Sequence, residues 1–181
     1  MLTPVHYTIV IALTAIERLI EVRVSKRNAT WSFEQGGREF GKEHYPFMVV
    51  LHTVFLISCV VEAWLMPKDI DLVWTSVGLF LVVACQAFRW WCIASLGKHW
   101  NTRVILIPGG QRITKGPYRF LPHPNYMIVA VEGVVLPLLY QAWYTAIAFT
   151  LFNALLMWVR IRCEEDALRE FLQRDKHASN H

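Results

Sequence analysis

The chain has 181 residues, a net charge of +4 and 55% hydrophobic residues, including 8 Trp and 10 Phe. That length holds one domain of ordinary size, expected over residues 1–181, and argues against two. The apolar composition leans toward a membrane protein, and the positive charge is accounted for by topology and anionic lipid without invoking nucleic acid.

An apolar run opens the chain at Pro4 to Ile20. It lacks a basic leader region and a small-residue cleavage site, so it reads as a retained helix. Glu17, Arg18, Glu21 and Arg23 close it, spaced so that pairing along the helix could satisfy them where it leaves the bilayer. Ser25 to Tyr45 is polar, holds Gly36 and Gly37, and scatters Trp31, Phe33, Phe40 and Tyr45 among its charges. It reads as a loop on the membrane interface. A second span, Pro46 to Met66, is followed by the short turn Met66-Pro67-Lys68-Asp69 and a third span, Leu72 to Leu96. Arg89, Trp90 and Trp91 near its end read as an interfacial anchor.

Residues 97–126 form a polar insert, long enough to suggest function. Within it Val104 to Ile107 is β-branched and precedes Pro108-Gly109-Gly110, predicting a short strand and a turn. The apolar stretch Met127 to Val159 is too long for one crossing and has Gln141 near its middle. It is predicted to be a hairpin of Met127 to Tyr140 and Ala142 to Val159. The fold class is therefore all-α, a polytopic membrane protein with about five transmembrane helices. Every Lys and Arg except Lys68 falls in or beside Glu17 to Tyr45, Arg89 to Tyr126 and Arg160 to His181. Under the positive-inside rule this predicts an outside N-terminus, with both long loops and the C-terminus cytoplasmic.

Cys59, Cys85, Cys92 and Cys163 form no C-x-x-C pair and read as reduced packing residues; no metal site is expected. The nucleotide-loop and hydrolase motifs G-x-G-x-x-G, G-x-x-x-x-G-K-[ST], G-x-S-x-G and H-E-x-x-H have no instance in a fitting context. Four ionisable residues fall within or near the apolar spans: His52, Glu62, Arg89 and Glu132. Such residues are costly in hydrocarbon and commonly functional. Glu132 is close enough to Tyr126 to share its cavity, whereas His52 fits an ordinary interhelical hydrogen bond.

The chemistry concentrates in two places. In His123-Pro124-Asn125-Tyr126, Pro124 suits the first position of a helix whose free N–H groups and dipole favour an anion such as a carboxylate. His123 and Tyr126 would flank that site, although an interfacial helix start with an ordinary proline cap explains the tetrapeptide equally. In Arg160-Ile-Arg162-Cys-Glu164-Glu165-Asp166, Arg160 shares a helix face with Glu164, Arg162 with Asp166, and Glu165 with Arg169. A solvated, salt-bridged helix end explains this as well. The functional reading turns one Arg and one Glu inward, beneath the 97–126 insert.

Taken in order, Leu96-Gly97-x-x-Trp100, Gly116-Pro117-Tyr118-Arg119, His123-Pro124-x-Tyr126, an apolar hairpin, and Arg160 through Glu164-Glu165-x-x-Leu168 resemble the isoprenylcysteine carboxyl methyltransferase family. The motifs cover residues 96–170, and the opening stretch looks like its short bacterial branch. The resemblance implies a cytoplasmic pocket for S-adenosylmethionine, formed by the 97–126 insert and the C-terminal helix. Tyr118, Arg119, His123, Pro124, Asn125, Tyr126, Glu164 and Glu165 would bind that cofactor. Arg160 and Glu165 match the residues with catalytic roles, and Trp100, Asn101, Glu132 and Arg160 are the candidates for acceptor binding. Where the family carries Arg directly before His-Pro, this chain has Pro122, so that role is lost or passes to Arg119.

The function expected is methyl transfer from S-adenosylmethionine, leaving S-adenosylhomocysteine, to a carboxylate or enol- or phenol-type oxygen of a lipophilic acceptor in the bilayer. A sterol-type reductase using NADPH, a phospholipid amine N-methyltransferase and a non-catalytic transporter or sensor are the alternatives. The acceptor's identity and the oligomeric state are not encoded legibly.

Overall fold

The computed structural model describes residues 2–110 and 113–178, the side chains of 170–178 excepted; Arg112, Arg174 and Lys176 of the charge pattern lie outside that description. Five helices run α1 Pro4–Glu34, α2 His44–Leu65, α3 Leu72–Leu96, α4 Pro124–Leu138 and α5 Trp143–Ala178. Two three-residue strands, β1 Arg38–Phe40 and β2 Val104–Leu106, pair antiparallel with Glu39 opposite Ile105. The chain is an all-α membrane protein. Three helices, His44–Leu65, Leu72–His99 and Trp143–Arg169, are long and apolar enough to cross a membrane, and α4 is a shorter apolar helix of 15 residues.

The helices pack side by side, with short connections at one end and the longer ones at the other. At one end Leu2 bridges to Ile70 and the Lys68 backbone N–H donates to the Tyr140 hydroxyl. At the other end β1, β2, the insert and the start of α4 gather around Arg160. The hairpin turn falls where expected: Gln141 takes the left-handed backbone, φ 54°, between α4 and α5. Glu62, on α2, then caps α5 from outside, accepting from Thr145 N and Oγ1 at 2.8 and 2.7 Å and from Tyr144 N at 3.3 Å. A helix N-terminus buried in an apolar bundle needs such a partner.

Two expectations are corrected. The first helix does not close with the charges Glu17 to Arg23 but continues to Glu34, taking in half of what reads as an interfacial loop. Ser25, Asn28 and Ser32 lie at helical spacing and are all buried, so this extension carries a polar stripe instead of an apolar one. It docks on the insert: Asn28 Nδ2 donates to the Trp100 carbonyl at 2.8 Å, and Ser25 Oγ accepts from Thr102 N at 2.9 Å. The other half supplies β1, the partner that β2 requires.

The second correction concerns the charges of α1, α3 and α4. Arg89 is not an interfacial anchor, for it is 8% exposed and clamped between two carboxylates. Its Nε and Nη2 donate to Glu21 at 2.6 and 2.9 Å, and its Nη1 donates to Glu132 at 3.1 Å. Arg18 pairs with Glu21 at 3.0 Å and donates to Gln86 at 2.7 Å, while Gln86 donates to Glu132 at 3.1 Å. The acids of α1 therefore look inward across three helices more than along their own. Because removing one partner strands a buried charge, Arg89→Met is expected to cost about 3–5 kcal/mol of stability. Thermal unfolding of the purified protein in detergent measures this, and a loss no larger than that from replacing exposed Arg119 would contradict the clamp.

Candidate active site at the insert

Four stretches of chain converge on Arg160. Its Nε donates to the Tyr126 hydroxyl at 2.9 Å, its Nη1 to the Met48 thioether at 2.8 Å, and its Nη2 to the Thr102 carbonyl at 2.6 Å. The Tyr126 hydroxyl in turn donates to Glu164 Oε2 at 2.5 Å. Arg160 and Glu164 are one turn apart on α5, and the phenol stands between them as acceptor to one and donor to the other. Among the described residues they make no direct ion pair.

Aromatic geometry reinforces the chain of bonds. The Arg160 guanidinium lies 5.3 Å from the Tyr126 ring centroid, and the His123 ring stacks on the other partner's plane at 5.3 Å and 12°. The Tyr126 ring thus contacts the His123 imidazole through one face and the Arg160 guanidinium near its hydroxyl, and α4 can present it because Pro124 starts the helix directly after His123. The N–H groups of Tyr126 and Met127 both return to the His123 carbonyl. The first turn therefore offers fewer free donors than its sequence suggests.

Within residues 100–125, four buried polar atoms lack partners among the described residues: Trp100 Nε1, Asn101 Oδ1, the Tyr118 hydroxyl and Asn125 Oδ1. Buried polar atoms are rarely left so, and their concentration in residues 100–125 is what a polar ligand would relieve. Burial pushes the Tyr118 phenol well above its ordinary pKa, with Cys92, Tyr126 and Glu164 as further contributors. Tyr118 is therefore a neutral hydroxyl that can donate. Its turn, Gly116–Arg119, starts at a glycine with φ 56°, and a Cβ there would meet Ser95 Oγ at 2.1 Å.

Not every residue expected at the site joins it. Arg119 is exposed, its guanidinium 5.9 Å from the Phe120 ring centroid, and Glu165 is exposed, turned about 100° around α5 from the Glu164 that meets Tyr126. Glu132 belongs to the Arg89 clamp. Trp100 is 2% exposed, with its carbonyl held by Asn28. Conversely, Met48 and Thr102 touch Arg160 directly and were not foreseen; a thioether on an apolar span and a backbone carbonyl carry no signal in sequence.

Fold and site together define a membrane-embedded helical bundle with a polar, aromatic-walled pocket at one end. Residues 77–170 match the isoprenylcysteine carboxyl methyltransferase (ICMT) family. The chain is 38% identical over 165 residues to uncharacterized protein YpbQ of Bacillus subtilis, covering 91% of this chain and 98% of that one. An uncharacterized protein of Haemophilus influenzae is 26% identical over 153 residues, covering 83% and 88%. The chain belongs to the isoprenylcysteine carboxyl methyltransferase family, which supports a membrane methyltransferase in general.

Since both hydrogen bonds of the phenol share one oxygen, Tyr126→Phe and Glu164→Gln are expected to be non-additive. A double-mutant cycle on unfolding stability should return a coupling of about 0.5–3 kcal/mol, and additive losses would mean the two side chains do not meet.

Proposed function

We propose that the chain transfers a methyl group from S-adenosylmethionine to an oxygen of a lipophilic acceptor held in the bilayer. The observation that carries this reading is the meeting of Arg160, Tyr126 and Glu164, supported by the buried, unpartnered polar atoms of residues 100–125. Those atoms fit the donor set of a polar, aromatic cofactor. Tyr118, His123, Asn125, Tyr126 and Glu164 would hold it, with Asn101 at its margin. Bound there, S-adenosylmethionine supplies a methyl group on a positively charged sulfur.

Aromatic faces and a carboxylate suit a sulfonium: the Tyr126 ring offers its π-face and Glu164 its negative charge. Glu164, not the exposed Glu165, takes the acidic role, because only Glu164 is tied to Tyr126. Arg160 holds the anionic acceptor oxygen. Its three partners fix the guanidinium plane, yet Nη1 and Nη2 each keep one further N–H. A carboxylate or enolate held by that fork is already nucleophilic, so alignment and electrostatics suffice. A cytoplasmic site and five crossings, with the N-terminus outside, rest on the distribution of Lys and Arg and require α1 and the 15-residue α4 to cross beside the three long apolar helices.

Arg160→Ala is expected to lower transfer of a labelled methyl group to lipid extract by about 100-fold or more, in line with removal of a principal electrostatic group. Binding of S-adenosylhomocysteine should change only a few-fold. Retention of full transfer would remove Arg160 from the chemistry, and loss of cofactor binding would make it a cofactor ligand instead.

A further inference from the structure

A second crevice lies deeper in the bundle, where residues of α1, α3 and α4 join His52, Phe55 and Leu56 of α2 and Phe149 of α5. On α2, Met48 lines the Arg160 crevice and His52, one turn on, lines the inner one. On α5, Leu156 and Arg160 line the outer crevice and Phe149 the inner. Asn153, 2% exposed, falls between them in sequence and on the buried side of the helix.

The inner crevice has aromatic walls and a charged floor. Phe55 and Phe149 stand with ring centroids 4.0 Å apart, while Arg18, Arg89 and Glu132 close the polar side. Those charges are already paired with one another, which makes a poor site for a free ion. What the crevice leaves unmet is a neutral hydrogen bond. His52 Nδ1 lies 2.8 Å from the Met48 carbonyl and must donate to it, since a carbonyl only accepts. Nε2 is thereby the free ring nitrogen, without a partner among the described residues. Asn153 Oδ1, on α5 but outside the crevice lining, is a buried atom without a partner among the described residues. An unmet polar group in hydrocarbon is costly, and an apolar lipid tail would leave His52 Nε2 unmet.

Space here depends on an absent side chain: a Cβ at Gly133 would lie 2.3 Å from the Phe149 ring. Resting on the proposed role of Arg160, we infer that the acceptor carries two polar groups, the methyl-accepting oxygen at Arg160 and a hydroxyl bound at His52. The hydroxyl donates to Nε2 of His52, which stands one helical turn, ~5.4 Å, along α2 from the Met48 that Arg160 touches. The acceptor is thus an oxygenated amphiphile and not a lipid with a single polar end.

The test titrates the purified full chain in detergent with hexadecanoic, 6-hydroxyhexadecanoic and 12-hydroxyhexadecanoic acids. The 6-hydroxy acid places its hydroxyl at roughly the required spacing. One buried hydrogen bond predicts that the wild type binds it about 3- to 10-fold more tightly than the other two. His52→Phe should erase that advantage while leaving hexadecanoic acid affinity within about twofold, and His52→Gln, which keeps an acceptor, should restore part of it. Gly133→Ala, which displaces Phe149 from its place against the His52 ring, should also erase it with the imidazole retained. Three equal affinities in the wild type, with water or tail filling the crevice, overturn the inference alone; so does an advantage that survives His52→Phe. Failure of every acid to bind overturns the Arg160 reading along with it.

Discussion

Arg89 sits between Glu21 of α1 and Glu132 of α4, and three helices take their relative positions from that clamp. A guanidinium in hydrocarbon is tolerable only when its donors are used, and carboxylates there only when a cation is at hand. Satisfying all of them at once allows few arrangements of α1, α3 and α4. Gln86 and Arg18 complete the network and tie it to the same two acids. This makes the clamp a source of specificity as much as of stability, which apolar packing between lipid-exposed helices supplies poorly.

What the clamp positions is the site one end away. With α1 and α3 set against α4, the polar extension of α1 reaches the insert and holds Trp100 and Thr102 through Asn28 and Ser25. Thr102 then presents its carbonyl to Arg160. Met48 comes from α2 and Tyr126 from α4, so Arg160 is oriented by three other elements of the bundle. A side chain so held is pre-organised, and catalysis that depends on alignment needs that more than it needs reactive groups.

Both crevices are lined in part by α2 and α5, with Met48 at their boundary. Its thioether touches Arg160 while its carbonyl fixes His52, so one residue orients a group in each. Recognition of a membrane-borne acceptor at two polar points would also explain why an apolar bundle keeps a histidine so deep.

Hydrophobic run length and the break at Gln141 made the helices and the hairpin legible, because hydrocarbon thickness imposes span length directly on sequence. The strand at Val104 was legible from β-branching, and His123, Tyr126, Arg160 and Glu164 from their order along the chain. Which glutamate of the Glu164-Glu165 pair faces Tyr126 was not, since adjacent residues on a helix point about 100° apart and only packing decides which turns inward. Nor was the fate of Ser25 to Glu34, Arg89 or Glu132, whose polar character is spent on partners distant in sequence. Local composition determined where the chain could enter a membrane; tertiary structure decided which polar groups meet there, because a buried charge is satisfied only by a partner that folding brings to it.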